Sequence, residues 1–335
     1  MGLLLTTPIA RARRLLRTVT GDSRSPLAGR TIMVTGASSG IGEATALACG
    51  ARGATVLLVA RRADALDRVR AAIESGGGAA YCFPLDLTDG DAVDRLVRRV
   101  TAEFGPVDHL VNNAGRSIRR SLDLTYDRFH DVERTIAINY LAPVRLTPGL
   151  LPGMRAQGFG HVVNVVTWGV QVKSPKFAAY IASKAALDVF GRIAGREAYR
   201  DGVAVTNLRF GLVRTEMVAP TEAYGRVPAL SPEQAAAIVV RALEDRPVTV
   251  DLLSARVLEI ANIVAPRLTD LAFSLPDRAF PTPPPRGREW RRPAVGRPPG
   301  RAVGSRPEGE PVRRGSGGLR GKRGRARGGV RKTRT

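Results

Sequence analysis

The sequence predicts an α/β fold: one domain built on a doubly wound parallel sheet, followed by an amphipathic helical extension and a basic tail. Three observations carry that prediction. Residues 31–280 alternate short β-branched runs with longer stretches of helical periodicity. The first of these runs leads directly into a glycine-rich turn and a helix. Finally, 44% of the 335 residues are hydrophobic, enough to bury a sizeable core and to exclude a wholly disordered chain.

The elements follow in order. Thr31-Ile32-Met33-Val34 is a buried strand, and a helix runs through Ala44–Arg52 after the glycine turn. Ala54–Val59 is the second strand, and Ala63–Ser75 is a helix stopped by Gly76-Gly77-Gly78. Ala80–Phe83 is the third strand, and Thr88–Phe104 a helix that Gly105-Pro106 ends. His109-Leu110-Val111 leads into Asn112-Asn113-Ala114-Gly115, and a long helical stretch covers Asp127–Leu150. Gly160–Thr167 is a strand, Phe177–Tyr199 a helix and Val203–Leu208 the sixth strand. Strands separated by helices require right-handed crossovers, hence a parallel sheet of the dinucleotide-binding (Rossmann) type. The region Arg214–Ser231 is irregular, interrupted by Pro220, Gly225 and Pro228, and is expected to act as a substrate lid, with an ordinary surface connection as the alternative. Ser231-Pro232-Glu233 then opens a helix with an N-cap serine and a first-turn proline. The expected map is a basic leader over 1–26, the sheet domain over 27–250, the helical extension over 251–280 and an Arg/Gly/Pro-rich tail over 281–335.

Charge separates these parts. The net charge is +22, but residues 281–335 hold 17 Lys and Arg against 3 Asp and Glu, and residues 1–30 hold 6 against 1. Residues 31–280 are close to balanced at 29 against 26, so the basicity of the whole chain is poor evidence that the domain binds nucleic acid. Two cysteines, Cys49 and Cys82, exclude a disulfide scaffold. No run of 18 apolar residues offers a membrane-spanning helix. In the leader, the charges at Arg11 to Arg17 follow the apolar run Leu3-Leu4-Leu5, the wrong order for a signal peptide. A disordered leader is the adopted reading, with an interfacial amphipathic segment and lipidation at Gly2 as alternatives. The tail has too few large apolar residues to fold alone. The expected location is cytoplasmic, with peripheral contact to a membrane or another polyanion through the basic ends as a second option.

The string Thr35-Gly36-Ala37-Ser38-Ser39-Gly40-Ile41-Gly42 lies between a strand and a helix. Gly36 permits the tight turn, Gly40 lets backbone approach a pyrophosphate, and Gly42 lets the helix pack on the sheet. An acidic residue at the end of the second strand would select NAD(H) by binding the ribose 2′-hydroxyl. Here that strand ends in Ala60, followed by Arg61 and Arg62, which can hold a 2′-phosphate. NADP(H) is therefore favoured over NAD(H).

The glycine string, Asn112-Asn113-Ala114-Gly115 and Tyr180-Ile181-Ala182-Ser183-Lys184 occur in the order and spacing that resemble the short-chain dehydrogenases/reductases, over about Leu27–Arg246. Tyr180 and Lys184 are four apart on a helix and share a face. A nearby ammonium lowers the phenol's ordinary pKa of about 10 toward working pH, so Tyr180 can exchange a proton with a carbonyl oxygen. The resemblance further implies that Lys184 binds the nicotinamide ribose. It places Thr167 where the family has a substrate-orienting serine, thirteen residues before the tyrosine, with Ser174 as the alternative hydroxyl. It implies a water-linked proton relay through Asn139, with backbone capping as the bland alternative. Asp86 falls near the adenine, Asn112 beside the adenosine ribose and Thr215 at the carboxamide. Leu87, Ala114, Gly115, Gly211 and Val213 complete the implied cofactor set. The segment before Thr215 reads Phe210-Gly211 where the family has Pro-Gly. His109, His130 and His161 are far apart without second ligands, so no metal is expected.

Four further stretches narrow the resemblance: Tyr126–Asp131, Gly149–Met154, Trp168–Gln171 ahead of Pro175–Tyr180, and Ser231–Ala236. Together with Leu252–Phe280 they look like the reductase domain of actinobacterial fatty acyl-CoA reductases. The expected activity is hydride transfer between NADP(H) and a carbonyl/alcohol pair, on a lipid-like small molecule, by a homo-oligomer with no specific nucleic-acid partner. The rivals are a sterol or secondary-metabolite ketone as substrate, and a polyanion-binding protein that retains a cofactor fold.

Overall fold

In the computed structural model, residues 4–5, 25–217 and 228–279 are described. The strands are β1 (Leu4–Leu5), β2 (Thr31–Thr35), β3 (Thr55–Ala60), β4 (Ala79–Pro84), β5 (His109–Asn112), β6 (Gly160–Thr167), β7 (Val203–Phe210) and β8 (Thr249–Leu252). The helices are α1 (Gly40–Gly50), α2 (Ala63–Ser75), α3 (Gly90–Phe104), α4 (Phe129–Ile136), α5 (Ala142–Ala156), α6 (Gly169–Val172), α7 (Ala178–Glu197), α8 (Pro232–Asp245), α9 (Leu253–Val264) and α10 (Pro266–Ala279). The sheet order is β1-β8-β7-β6-β5-β2-β3-β4. Strands β2 to β8 pair in parallel, so the expected doubly wound sheet is present.

Helices cover both faces. Ile32, Val34, Val56 and Leu58 share one core with Ala46, Leu66, Val239 and Leu243 from α1, α2 and α8. Met33, Leu57 and Val59 face the opposite core, with Leu96, Leu146 and Met154 from α3 and α5. Strands buried on both sides need no polar alternation, which is why they read as continuous apolar runs. The chain winds outward from β2 to β4 and then returns to β5 on the other side of β2. That reversal opens a crevice beyond the C-terminal ends of β2 and β5.

Several expectations are corrected. The boundary between 250 and 251 cuts through β8, whose Thr249 and Val250 pair with Asn207 and Leu208 of β7. Asp251 in that strand is buried and paired with Arg209 at 3.2 Å and Arg256 at 2.9 Å. The leader is not wholly unstructured: Leu4 and Leu5 pair antiparallel with Leu252 and Asp251. The helical stretch expected over Asp127–Leu150 is present and longer: α4 and α5 run from Phe129 to Ala156 through a π-helical turn over Ala137–Leu141. The helical extension does form a helix pair, α9 and α10. Residues 218–227 of the expected lid, the rest of the leader, and the tail lie outside the described residues.

Candidate active site

The crevice is a cavity of about 1050 Å³. Its first wall is the loop between β2 and α1. Gly36 holds φ +68 and Gly40 φ +58, values that L side chains avoid. A Cβ on Gly42 would stand 2.1 Å from the Gly36 carbonyl oxygen, so only glycine lets α1 start against the loop. Ser39 occupies the N-cap position of α1 but its side chain makes no capping hydrogen bond. The first amides of α1 therefore face the cavity as donors, alongside Ser38, Ser39, Gly40 and Ile41. Thr35 anchors the loop from behind: its hydroxyl donates to Val111 O at 3.0 Å and accepts from the Asn113 and Ala114 amides.

Arg61 and Arg62 line the cavity at the end of β3, beside the small Ala60. The Arg62 guanidinium reaches the Ser38 carbonyl at 3.3 Å, which places the basic pair next to the loop. Asp86 and Leu87 line the cavity after β4. The backbone and hydroxyl of Thr88 both donate to Asp86 and hold its carboxyl below the usual range, with burial opposing. Together the glycine cradle, the open helix N-terminus and the basic pair fit a dinucleotide.

The second wall belongs to α7 and the end of β6. Thr167, Tyr180 and Lys184 all line the cavity, as do Ser174, Gly211, Val213 and Thr215. Lys184 is 3% exposed, and its ammonium donates to Val165 O at 2.8 Å. Burial pushes its pKa down to about 8, which leaves it charged at neutral pH. Gly115 also has a close-packing reason: a Cβ would lie 3.0 Å from Asn139 Oδ1 and 3.3 Å from Lys184 Nζ. The Thr167 hydroxyl accepts from the Gly169 amide at 3.1 Å, which fixes it at the turn into α6. Thr215 lies over the loop, its methyl 3.1 Å from the position of a Cβ on Gly40.

Three expected residues do not line the cavity: Gly42, which packs α1 against the loop, Asn112 and Asn139. Asn112 does not line the cavity. It is buried in the sheet, donating to Asn164 Oδ1 at 2.9 Å and to Thr147 at 3.3 Å, so its side chain is not beside a ribose. Parallel register aligns Asn112, Asn164 and Asn207 across β5, β6 and β7, and Asn164 donates to Asn207 in turn. Asn139, also off the cavity wall, lies in the π-helical turn and clamps Arg116. Its Oδ1 accepts from the Arg116 amide at 2.7 Å, and its Nδ2 donates to the Arg116 carbonyl and to Ser183. The Asn139 side chain thus makes the backbone-capping contacts that are the alternative to the relay. Such π turns recur at functional sites because they redirect one side chain without ending the helix.

The sequence reading missed much of the remaining wall. Ile138, Trp168, Phe177, Ile181, Leu212 and Met217 give it an apolar stretch, and Arg116 and Arg134 lie at its rim. Arg116 directly follows the Asn112–Gly115 string, which was the available signal. The loop after α6 bends through left-handed Lys173 and Lys176, and Lys176 O accepts from the Arg120 amide at 2.7 Å. That bond brings Ser174 and Phe177 to the cavity. Among the described residues no cluster suits a metal ion, and no helix is long and apolar enough to cross a membrane.

A family model described as short chain dehydrogenase matches residues 30–224. A fatty acyl-CoA reductase of Acinetobacter baylyi is 44% identical over 259 residues, covering 77% of this chain and 88% of that protein. A fatty acyl-CoA reductase of Mycobacterium tuberculosis is 48% identical over 242 residues, covering 72% and 82%. Among solved structures, a short-chain dehydrogenase from Streptomyces avermitilis superposes with a TM-score of 0.63 at 33% identity, over 75% of this chain and 99% of that one. A metagenomic short-chain oxidoreductase in complex with NADP gives 0.58 at 31% identity, over 67% and 96%.

Proposed function

For a chain that belongs to the short-chain dehydrogenase/reductase family, and is therefore an NAD(P)-dependent oxidoreductase, we propose NADP(H)-dependent interconversion of a fatty acyl or aldehyde carbonyl with its reduced product. The observation that carries this reading is the convergence of Tyr180 and a buried, charged Lys184 on the cavity that also holds the glycine cradle. A bound reduced nicotinamide supplies hydride to the carbonyl carbon. Tyr180 gives its phenolic proton to the carbonyl oxygen as charge develops there, and solvent restores it; an aldehyde thus becomes an alcohol, whereas an acyl thioester becomes a hemithioacetal whose C–S bond then breaks to release the thiol and leave the aldehyde. Lys184 favours the phenolate by its charge, and its desolvation strengthens that effect. Thr167 orients the carbonyl oxygen through its hydroxyl; Ser174, on the same cavity, is the competing donor. Arg61 and Arg62 would neutralise a 2′-phosphate, Asp86 and Leu87 would hold the adenine end, and Thr215 would hold the carboxamide end.

Three observations support the choice of substrate class. The wall formed by Ile138, Trp168, Phe177, Ile181, Leu212 and Met217 suits an aliphatic chain. The two fatty acyl-CoA reductases above cover most of this chain. Each buried methylene contributes about 0.8 kcal/mol, so specificity can be built from chain length. In the proposed assembly, Val189 and Ile193, exposed and four apart on α7, contact a second copy.

The test is NADPH and NADH oxidation across a series of aliphatic aldehydes and acyl thioesters. kcat/KM rises with chain length until the cavity is filled, and NADPH is the better cofactor. Replacing Arg61 and Arg62 with Ala weakens NADPH alone. A flat profile with preference for compact polar ketones contradicts the fatty substrate and leaves the oxidoreductase standing.

A further inference from the structure

One surface feature has no part in the cavity. On α9, Leu253, Val257, Ile260 and Val264 recur at helical spacing and form a single stripe, and α10 exposes Leu268 and Leu271. All six are between 44% and 77% exposed. The opposite side of α9 is the side fixed to the domain. Ala255 is fully buried, Glu259 accepts from Gln171 at 2.8 Å, and Asn262 donates to the Gln171 carbonyl at 3.1 Å. The helix is thus anchored through its polar and small residues while its aliphatic residues point outward, the reverse of an ordinary surface helix.

The chain is basic at both ends of this stripe. β1 pairs with Asp251 and Leu252 at the entrance to α9, and it belongs to residues 1–30, with 6 Lys and Arg against 1 acidic residue. Beyond α10, residues 281–335 carry 17 against 3. We propose that the exposed aliphatic residues of α9 and α10 dock this protein on an anionic lipid bilayer, with the two basic segments drawing it to the charged headgroups. A bilayer meets both needs at once: aliphatic side chains enter the acyl boundary while arginines stay among the phosphates. Neither element suffices alone, since stable peripheral binding takes two such contributions. A second copy would cover the stripe but would leave the net positive charge of the two basic segments without a counter-charge, which an anionic surface supplies. A nucleic acid would satisfy the tail but not the stripe, and Trp290 is the tail's only aromatic for base stacking. The docking does not depend on the substrate assigned above.

The test is co-sedimentation of the full chain with phosphatidylcholine vesicles and with vesicles that also contain phosphatidylglycerol. The full chain sediments with the anionic vesicles only, and less so at raised salt. Val257→Asp combined with Ile260→Asp lowers the partition constant about ten-fold or more. Removal of residues 281–335 also lowers it and abolishes most of the salt dependence. Both variants retain the wild-type circular dichroism spectrum and NADPH oxidation with a water-soluble aldehyde, so loss of binding is not loss of fold. Vesicle binding unchanged by the double substitution, together with equal binding to duplex DNA, would overturn the proposal in favour of a tail that holds any polyanion. Absence of vesicle binding, with a dimer that the double substitution dissociates, would overturn it in favour of a second copy. Failure of the fatty-substrate reading shows in the chain-length series and leaves these outcomes unchanged.

Discussion

The two walls of the cavity are made of different material. The wall after β2 is backbone: two left-handed glycines, a glycine with no room for a Cβ, and the free amides of α1. The wall on α7 is side chain: Tyr180 and Lys184, with Ser183 and Asn139 fully buried in support. A backbone wall recognises what nearly every dinucleotide shares, its phosphates, and tolerates no added atom. A side-chain wall performs one reaction and depends on buried polar groups behind it. Binding and chemistry are therefore separable in this molecule, and substitutions should fall on one side or the other.

The largest effect should come from Tyr180→Phe, which removes the proton donor and nothing from the first wall. kcat falls by roughly two to four orders of magnitude, while NADPH affinity, read by nicotinamide fluorescence, is unchanged. Gly42→Ala should show the opposite split. Its Cβ meets the Gly36 carbonyl, and the loop must shift at a cost of about 3 kcal/mol, seen as roughly a hundred-fold weaker NADPH binding. Equal loss of binding in both variants would erase the distinction between the walls.

Lys184 sharpens the comparison through pH. Its folded pKa is about 8 against 10.5 in an exposed lysine. Between those values the unfolded chain holds a proton that the folded chain has released. Stability of the cofactor-free protein thus rises with pH across that window, by up to about 3 kcal/mol. Urea denaturation at stepped pH should show the rise, and Lys184→Met should flatten it. The smallest effect concerns the support furthest from the chemistry. Asn164→Ala strands the Asn112 amide and the Asn207 carbonyl oxygen in the sheet and should cost about 2 kcal/mol of stability, with kcat nearly intact at a temperature where the fold holds.

What could be read in the sequence follows the same division. Backbone requirements are local, so glycine at 36, 40 and 42 announces the first wall, and continuous apolar runs announce β2 and β3. Support for the second wall is non-local. Asn112 and Asn164 are 52 residues apart and Asn164 and Asn207 are 43 apart, so only the sheet register reveals them as a ladder. β8 was hidden because the charge on Asp251 is satisfied by Arg209 and Arg256, neither adjacent to it in the chain. The π turn between α4 and α5 keeps the backbone helical, so the sequence reads as one helical stretch, and Pro143 in the first turn of α5 was the signal available for it. Tyr180 and Lys184 were legible because helix spacing puts them on one face, whereas Thr167 was legible only through the family resemblance.

The central claim, that hydride passes to a fatty carbonyl over Tyr180, is tested most directly by isotope transfer. The enzyme is incubated with NADPH deuterated at the transferable position of the nicotinamide and with a long-chain aldehyde, and the alcohol is analysed by mass spectrometry. The account predicts a single deuterium on the former carbonyl carbon, formed by the wild type and nearly absent with Tyr180→Phe. NADPH binding without deuterium in the product of any aldehyde or acyl thioester of the series, or equal labelling by the Tyr180→Phe variant, would contradict it.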